Sequence, residues 1–190
     1  MSVPIRRAGA PDAEMVAELI ATAFAGLKVV RYLLPEPERR QEIMAANFRI
    51  LVEHAVEHGV IDVVADAPAV AVWFPRTAPA PEPPDYDRRL EEAVGGAVGR
   101  FRELDEQFEK HHPEAPHHHL AFLAVHPDQQ SRGLGSALLA HHHATLEGVP
   151  AYLEASSPRA RDLYLRHGYA EREPFAMGDG TLFWPMWRAS

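Results

Sequence analysis

Apolar positions along the chain switch between a helical and an alternating period, and the switches outline the elements. Val3 to Arg7 predicts a short first strand. After Pro11-Asp12, the apolar residues Val16, Leu19, Ile20 and Ala23 recur at helical spacing and predict a first helix. A second is predicted from about Glu38 to His58, where Ile43, Asn47, Ile50, Leu51 and Ala55 form one mostly apolar stripe and Gly59 is a natural stop. The valine-rich runs Val60–Ala65 and Val70–Phe74, separated by Asp66-Ala67-Pro68, predict a β-hairpin.

Pro75 to Pro84 carries prolines at 75, 79, 81, 83 and 84, which excludes regular structure and predicts a loop. Helical spacing returns at Leu90, Val94, Ala97, Phe101, Leu104 and Phe108. Gly95, Gly96 and Gly99 interrupt it, so a helix weak or bent in the middle is expected. Leu120 to Val125 is an apolar run too short for most helices, ended by His126-Pro127. A glycine turn follows, and a helical pattern resumes at Ser136. Ala151–Ala155 is a second short buried strand. Ser157-Pro158 then opens a helix with serine at the N-cap and proline at the first helical position. Ala160, Leu163, Tyr164 and His167 share one face of it, and Gly168 stops it. The C-terminal segment predicts two strands around a Gly178-Asp179-Gly180 turn. Without a repeat or a second core, the pattern predicts one α/β domain over residues 1–190: a mixed sheet with helices on both faces.

Charge and composition remove several classes of function. A net charge of −8 argues against nucleic acid as the main partner, since that affinity needs a basic surface. With no cysteine there is no disulfide framework, thiolate nucleophile or zinc–cysteine site. The first residues lack an apolar signal core and no run approaches membrane-spanning length, so the expected compartment is the cytoplasm, without a membrane partner.

The densest chemical signal is the strand–turn–helix unit from Leu120 to Ala140. The first N–H groups of a helix have no internal partners and sit at its positive dipole end. Glycines let the backbone approach a ligand there. The turn Gln130-Ser131-Arg132-Gly133-Leu134-Gly135 therefore reads as a cradle for a phosphate-bearing small molecule.

With its elements in this order, the chain resembles the GNAT superfamily of acyl-CoA-dependent N-acetyltransferases. The resemblance rests on the signature Q/R-x-x-G-x-G/A at Gln130–Gly135, on the second strand about twenty residues later, and on L-Y-L-R-H-G-Y at Leu163–Tyr169. It implies a central mixed sheet of about six to seven strands, with the cofactor-binding segment at about 117–170. It implies that Gln130, Ser131, Arg132, Gly133, Leu134, Gly135 and Ser136 form the turn that binds the CoA pyrophosphate. Leu123, Ala124 and Val125 match the bulged fourth strand that pairs with the pantetheine arm, where a backbone N–H also stabilises the oxyanion. Tyr164 matches the tyrosine that protonates the departing thiolate. Ser157 stands where the family often has an asparagine on the cofactor arm, a departure that weakens that contact.

The attacking amine must lose a proton. The candidates for the base are His117, His118 and His119, with His119 first, and Glu154 at the end of the next strand. The resemblance implies transfer of an acetyl group from acetyl-CoA to a primary amine of a small molecule, by direct attack in a ternary complex, in a monomer or homodimer. The alternatives are a non-catalytic CoA-binding module, or transfer to a protein N-terminus or from a longer acyl-CoA. Trp73, Phe74, Phe175 and Trp184 are possible walls of the acceptor cleft. The 12 histidines raise the question of a metal, but consecutive helical residues point about 100° apart, so His141–His143 is not expected to converge on one ion. No metal is expected.

Overall fold

Val70, Val72 and Phe74 on one side of a strand, and Ala69, Ala71 and Trp73 on the other, are all buried, so this part of the chain is covered on both faces. In the computed structural model, which describes residues 3–79 and 81–190, that strand lies inside a mixed eight-stranded sheet. The proline-rich reading of 75–84 therefore falls outside the described residues at position 80, as does the N-terminal reading at positions 1 and 2.

The strands are β1 (Ile5–Arg7), β2 (Val60–Val64), β3 (Ala69–Arg76), β4 (His117–Val125), β5 (Ala151–Ala155), β6 (Ala170–Glu171), β7 (Phe175–Ala176) and β8 (Leu182–Arg188). Their order is β1-β2-β3-β4-β5-β8-β6, with β7 also on β8. Among the described residues only β4 and β5 pair in parallel, and every other pairing is antiparallel. The helices are α1 (Ala13–Phe24), α2 (Lys28–Leu33), α3 (Arg40–His58), α4 (Tyr86–Val94), α5 (Val98–His111), α6 (Leu134–His143) and α7 (Pro158–Arg166).

Apolar residues of α1 to α5 pack with Val70, Val72, Phe74 and Ala124 on one face of the sheet. Those of α6 and α7 pack with Trp73, Leu120, Leu153 and Met186 on the other. The predicted elements appear with shifted edges. β4 begins three residues before the apolar run because alternating histidines find partners on both faces. The expected bend in the 86–108 helix is a full break: Gly95, with φ +53°, caps α4, and a 3₁₀ turn over Gly95–Ala97 leads into α5. The short α2, with Val29, Val30 and Leu33 buried, and the two-residue β6 are additions that local periodicity does not signal.

Two irregularities in β4 prepare the site. Against β3, Val72 pairs with Phe122 and Trp73 with Leu120, so Ala121 is an extra residue, a β-bulge. The face pattern records it: Ala121 and Phe122 both turn toward the α1–α5 side before alternation resumes. Against β5, pairing runs only from His118–Ala151 to Leu120–Leu153. Beyond that point Ala121–Val125 keeps β3 on one edge and, among the described residues, has no strand on the other, while Glu154 and Ala155 pair with β8. The two parallel strands part into a wedge.

Candidate active site

The far end of the wedge is the glycine turn. Gly133 has φ +80°, the left-handed conformation glycine adopts without strain, and it is the N-cap of α6. Glycine has no side chain to cap the helix, and the first internal bond runs from Ala137 N to Gly133 O at 2.9 Å. The N–H groups of Leu134, Gly135 and Ser136 are thus left for a ligand at the positive end of the helix. Leu134 anchors the turn in the core. Gly135 sits against the walls: a Cβ there would stand 3.6 Å from Leu123 and Leu163 side-chain atoms.

Polar contacts brace the same turn. Gln130 Nε2 donates to Val125 O at 3.2 Å. Arg159, in the first turn of α7, donates to Gln130 Oε1 and to Ser131 Oγ, each at 3.0 Å. Arg132 donates to Gln129 Oε1 from an exposed position. Two guanidinium groups therefore flank the uncapped helix end, which suits an anion. Arg159 was not among the sequence candidates; it lies 28 residues from Ser131 and only the packing of α7 beside the turn brings it there. Ser136 Oγ lies 3.0 Å from His167 Nε2. Ser157 caps α7, its Oγ accepting from Ala160 N at 3.2 Å.

Strand alternation sorts the histidine run. His117 and His119 turn toward the α5 side, whereas His118 turns to the opposite face, with Nδ1 3.1 Å from His142 Nε2 on α6. The side chains of a strand point alternately to opposite faces, so three adjacent histidines cannot share one site. His119 Nε2 donates to Glu154 Oε2 at 2.9 Å, just where β4 and β5 part. His112, following α5, places Nδ1 3.9 Å from Glu154 Oε1 and Nε2 3.1 Å from His117 Nε2. His117 in turn places Nδ1 2.7 Å from Ala115 O. The sequence reading did not single out His112, because its run, His111-His112, gives no sign of meeting a strand.

Burial by itself raises the Glu154 carboxyl, but His119 and His112 outweigh it and hold the group well below the ordinary carboxylate range. Burial pulls His117 down to about 4, against its hydrogen bond to Ala115 and with help from His112, His119 and Arg76. One ligand atom from each of His112, His119 and Glu154 lies within 4.8 Å of the other two.

Tyr164 is buried in the cluster that Leu123, Val125 and Leu134 also line, and burial alone raises its phenol well above the ordinary value. The expected wall residues divide. Trp73 is fully buried and stacks on His142, with ring centroids 4.0 Å apart, so it lies beneath α6 instead of facing a cleft. Trp184 is on that same side, under the Arg161 guanidinium. Phe74 and Phe175 are buried on the α1–α5 side, where Phe175 stacks on His111.

The chain has counterparts among known proteins. Residues 87–171 match the family model described as an acetyltransferase (GNAT) domain. The whole chain superposes on a Corynebacterium glutamicum protein named histone acetyltransferase HPA2 and related acetyltransferase. The TM-score is 0.76 and the identity 29%, over 100% of this chain and 98% of that one. The chain carries a GNAT acetyltransferase domain. A GCN5-related N-acetyltransferase structure from Rhodopseudomonas palustris shares the fold at TM-score 0.58 and 13% identity, over 100% of this chain and 97% of that one. An agmatine N-acetyltransferase shares it at 0.60 and 16%, over 98% of each chain. At such identities these two likenesses concern the fold alone. The GNAT mixed α/β architecture agrees with the sequence expectation, with eight strands because the two-residue β6 and β7 join β8. No helix among the described residues is long and apolar enough to cross a membrane.

Proposed function

We propose that this GNAT protein transfers an acetyl group from acetyl-CoA to the primary amine of a small soluble molecule, in a ternary complex and without an acyl-enzyme. The observation that carries the reading is the edge of β4 beyond Leu120, which has no strand partner and runs directly to the uncapped start of α6. An extended pantetheine arm, with amides of its own, suits such an edge at Leu123, Ala124 and Val125, and a pyrophosphate suits the N–H groups and guanidinium groups at Gln130–Ser136. Arg159 joins that set through its contacts with Gln130 and Ser131.

In the reaction the neutral amine nitrogen attacks the thioester carbonyl carbon, a C–N bond forms, and the C–S bond breaks. A β4 backbone N–H stabilises the oxyanion. Tyr164 supplies a proton to the departing thiolate and recovers one that the attacking nitrogen sheds as the amide forms; burial favours its protonated phenol. The His119–Glu154 pair accepts the ammonium proton, supported by its place at the parting of the strands and by the ionised state of Glu154. Residues 1–190 act as one domain, the core cofactor segment being about 117–170, in the cytoplasm, as a monomer or homodimer.

The test is release of the CoA thiol from acetyl-CoA in the presence of a panel of small amines. Release with at least one amine, with the acetylated product found by mass spectrometry, is the expected result. Tight CoA binding without release by any amine would replace this reading with a non-catalytic CoA-binding module. Preference for a longer acyl-CoA would change the donor.

A further inference from the structure

The orientation of the His112 ring is set by a chain of contacts that ends on a backbone carbonyl. Ala115 O can only accept, so the proton of the neutral, buried His117 is on Nδ1, which donates to it at 2.7 Å. His117 Nε2 then presents a lone pair, and His112 Nε2, 3.1 Å away, is the donor. In the neutral form that a metal ligand requires, His112 therefore presents the lone pair of Nδ1 to Glu154 Oε1, 3.9 Å off. That oxygen is buried and has no hydrogen-bond partner among the described residues. A lone pair facing a carboxylate oxygen is an unfavourable contact, relieved by a proton on Nδ1 or by a metal cation that replaces that proton between them.

The third donor is His119 Nε2, 2.9 Å from the other oxygen of the same carboxylate. Ligands around a tetrahedral zinc at about 2.0–2.1 Å stand about 3.4 Å apart. The three donor atoms here lie within 4.8 Å of one another, so shifts of about 1 Å bring them to bonding distance. They come from three elements: the end of α5, β4 and β5. The contact of His112 with His117, and of His117 with Ala115, is the outer support that fixes the tautomer of a metal-binding histidine.

We propose that His112 Nδ1, His119 Nε2 and the Glu154 carboxylate form a three-ligand site for a zinc-class divalent cation. Two imidazoles and one carboxylate suit such an ion and leave its fourth position open. On binding, His119 keeps one ring proton and carries it on Nδ1 instead of Nε2. A bound ion occupies the two groups assigned to the base, so zinc inhibits acetyl transfer. That consequence rests on the proposed function, whereas the binding itself does not.

The experiment titrates the full, untagged chain with zinc against a chromophoric chelator, with no acetyl-CoA present. One ion per chain is expected, bound about tenfold or more weakly by H112A and by E154Q. Exposed controls, H141A and H58A, keep the wild-type affinity. His112 is partly exposed at a helix end, so H112A stays folded and decides the matter even if the buried Glu154 substitution does not. Wild-type affinity in H112A, loss of binding in either control, or no binding by the parent chain would overturn the site. None of those results bears on thiol release, which separates this failure from that of the proposed function.

Discussion

His119 Nε2 donates to Glu154 Oε2 at 2.9 Å across two parallel strands whose pairing ends one residue further along β4. The contact joins residues 35 apart in sequence at the apex of the wedge. It makes the pair a defined target, because Glu154 is buried and held ionised by histidine neighbours.

Substituting Glu154 by Gln keeps the shape and removes the charge. We expect turnover to fall by about a hundredfold, the scale of positioned acid–base catalysis, with the KM for acetyl-CoA changed less than twofold or so. Steady-state kinetics with a saturating amine checks it. An unchanged kcat would remove Glu154 from the base.

Tyr164→Phe deletes a hydroxyl whose raised pKa reflects burial with no charged or hydrogen-bonding group contributing. Stability should therefore stay within about 0.5 kcal/mol of the parent, since no buried partner is orphaned. Turnover should fall by roughly tenfold, a modest loss because a thiolate leaves readily, while acetyl-CoA affinity holds. Thermal unfolding and kinetics on one preparation separate the two effects, and equal turnover in both proteins would make Tyr164 a packing residue.

At Gly135 a Cβ meets Leu123 and Leu163 at 3.6 Å, an ordinary contact, so Gly135→Asp should fold. Its carboxylate stands in the first turn of α6, where a negative charge suits the helix dipole but repels a pyrophosphate. CoA affinity, measured by calorimetry, should drop by about a hundredfold or more. Retained affinity with a normal melting temperature would move the cofactor away from the turn.

Stability should fall in acid partly through His143. Burial, then the charges of Arg188, His167 and His142, pull its pKa from the ordinary 6.5 to about 4, and its Nε2 accepts from the Tyr169 hydroxyl at 3.0 Å. The folded chain keeps it neutral where the unfolded chain binds a proton. The stabilisation is therefore present above about 6.5 and is lost as pH falls toward 4. With solvent screening of this half-buried ring, about 1 kcal/mol should disappear between pH 7 and 5. His143→Gln should flatten that slope in pH-dependent melting, and an unaltered slope would place the effect elsewhere.

Local order was legible wherever a short stretch carries its own cause. The Ser157-Pro158 helix start, the hairpin of β2 and β3, the glycine interruption after Val94 (read as a bend, found as a full break) and the turn before α6 follow from side-chain capping, valine alternation and glycine dihedrals. The apolar α2 and the tiny β6 were not legible, because six and two residues are too few to show a period.

The amino-acid order by itself determined the glycine turn before α6 and the Ser157-Pro158 start of α7, since both depend on neighbouring residues. Only the tertiary structure decided that Arg159 braces that turn, that β4 takes in His117–His119 and sends His118 to the opposite face, and that His112 meets His119 and Glu154. Those meetings depend on where α5 ends and α7 begins against a splayed pair of strands. Distances between elements are set by packing two cores against one sheet, and no local spacing encodes them.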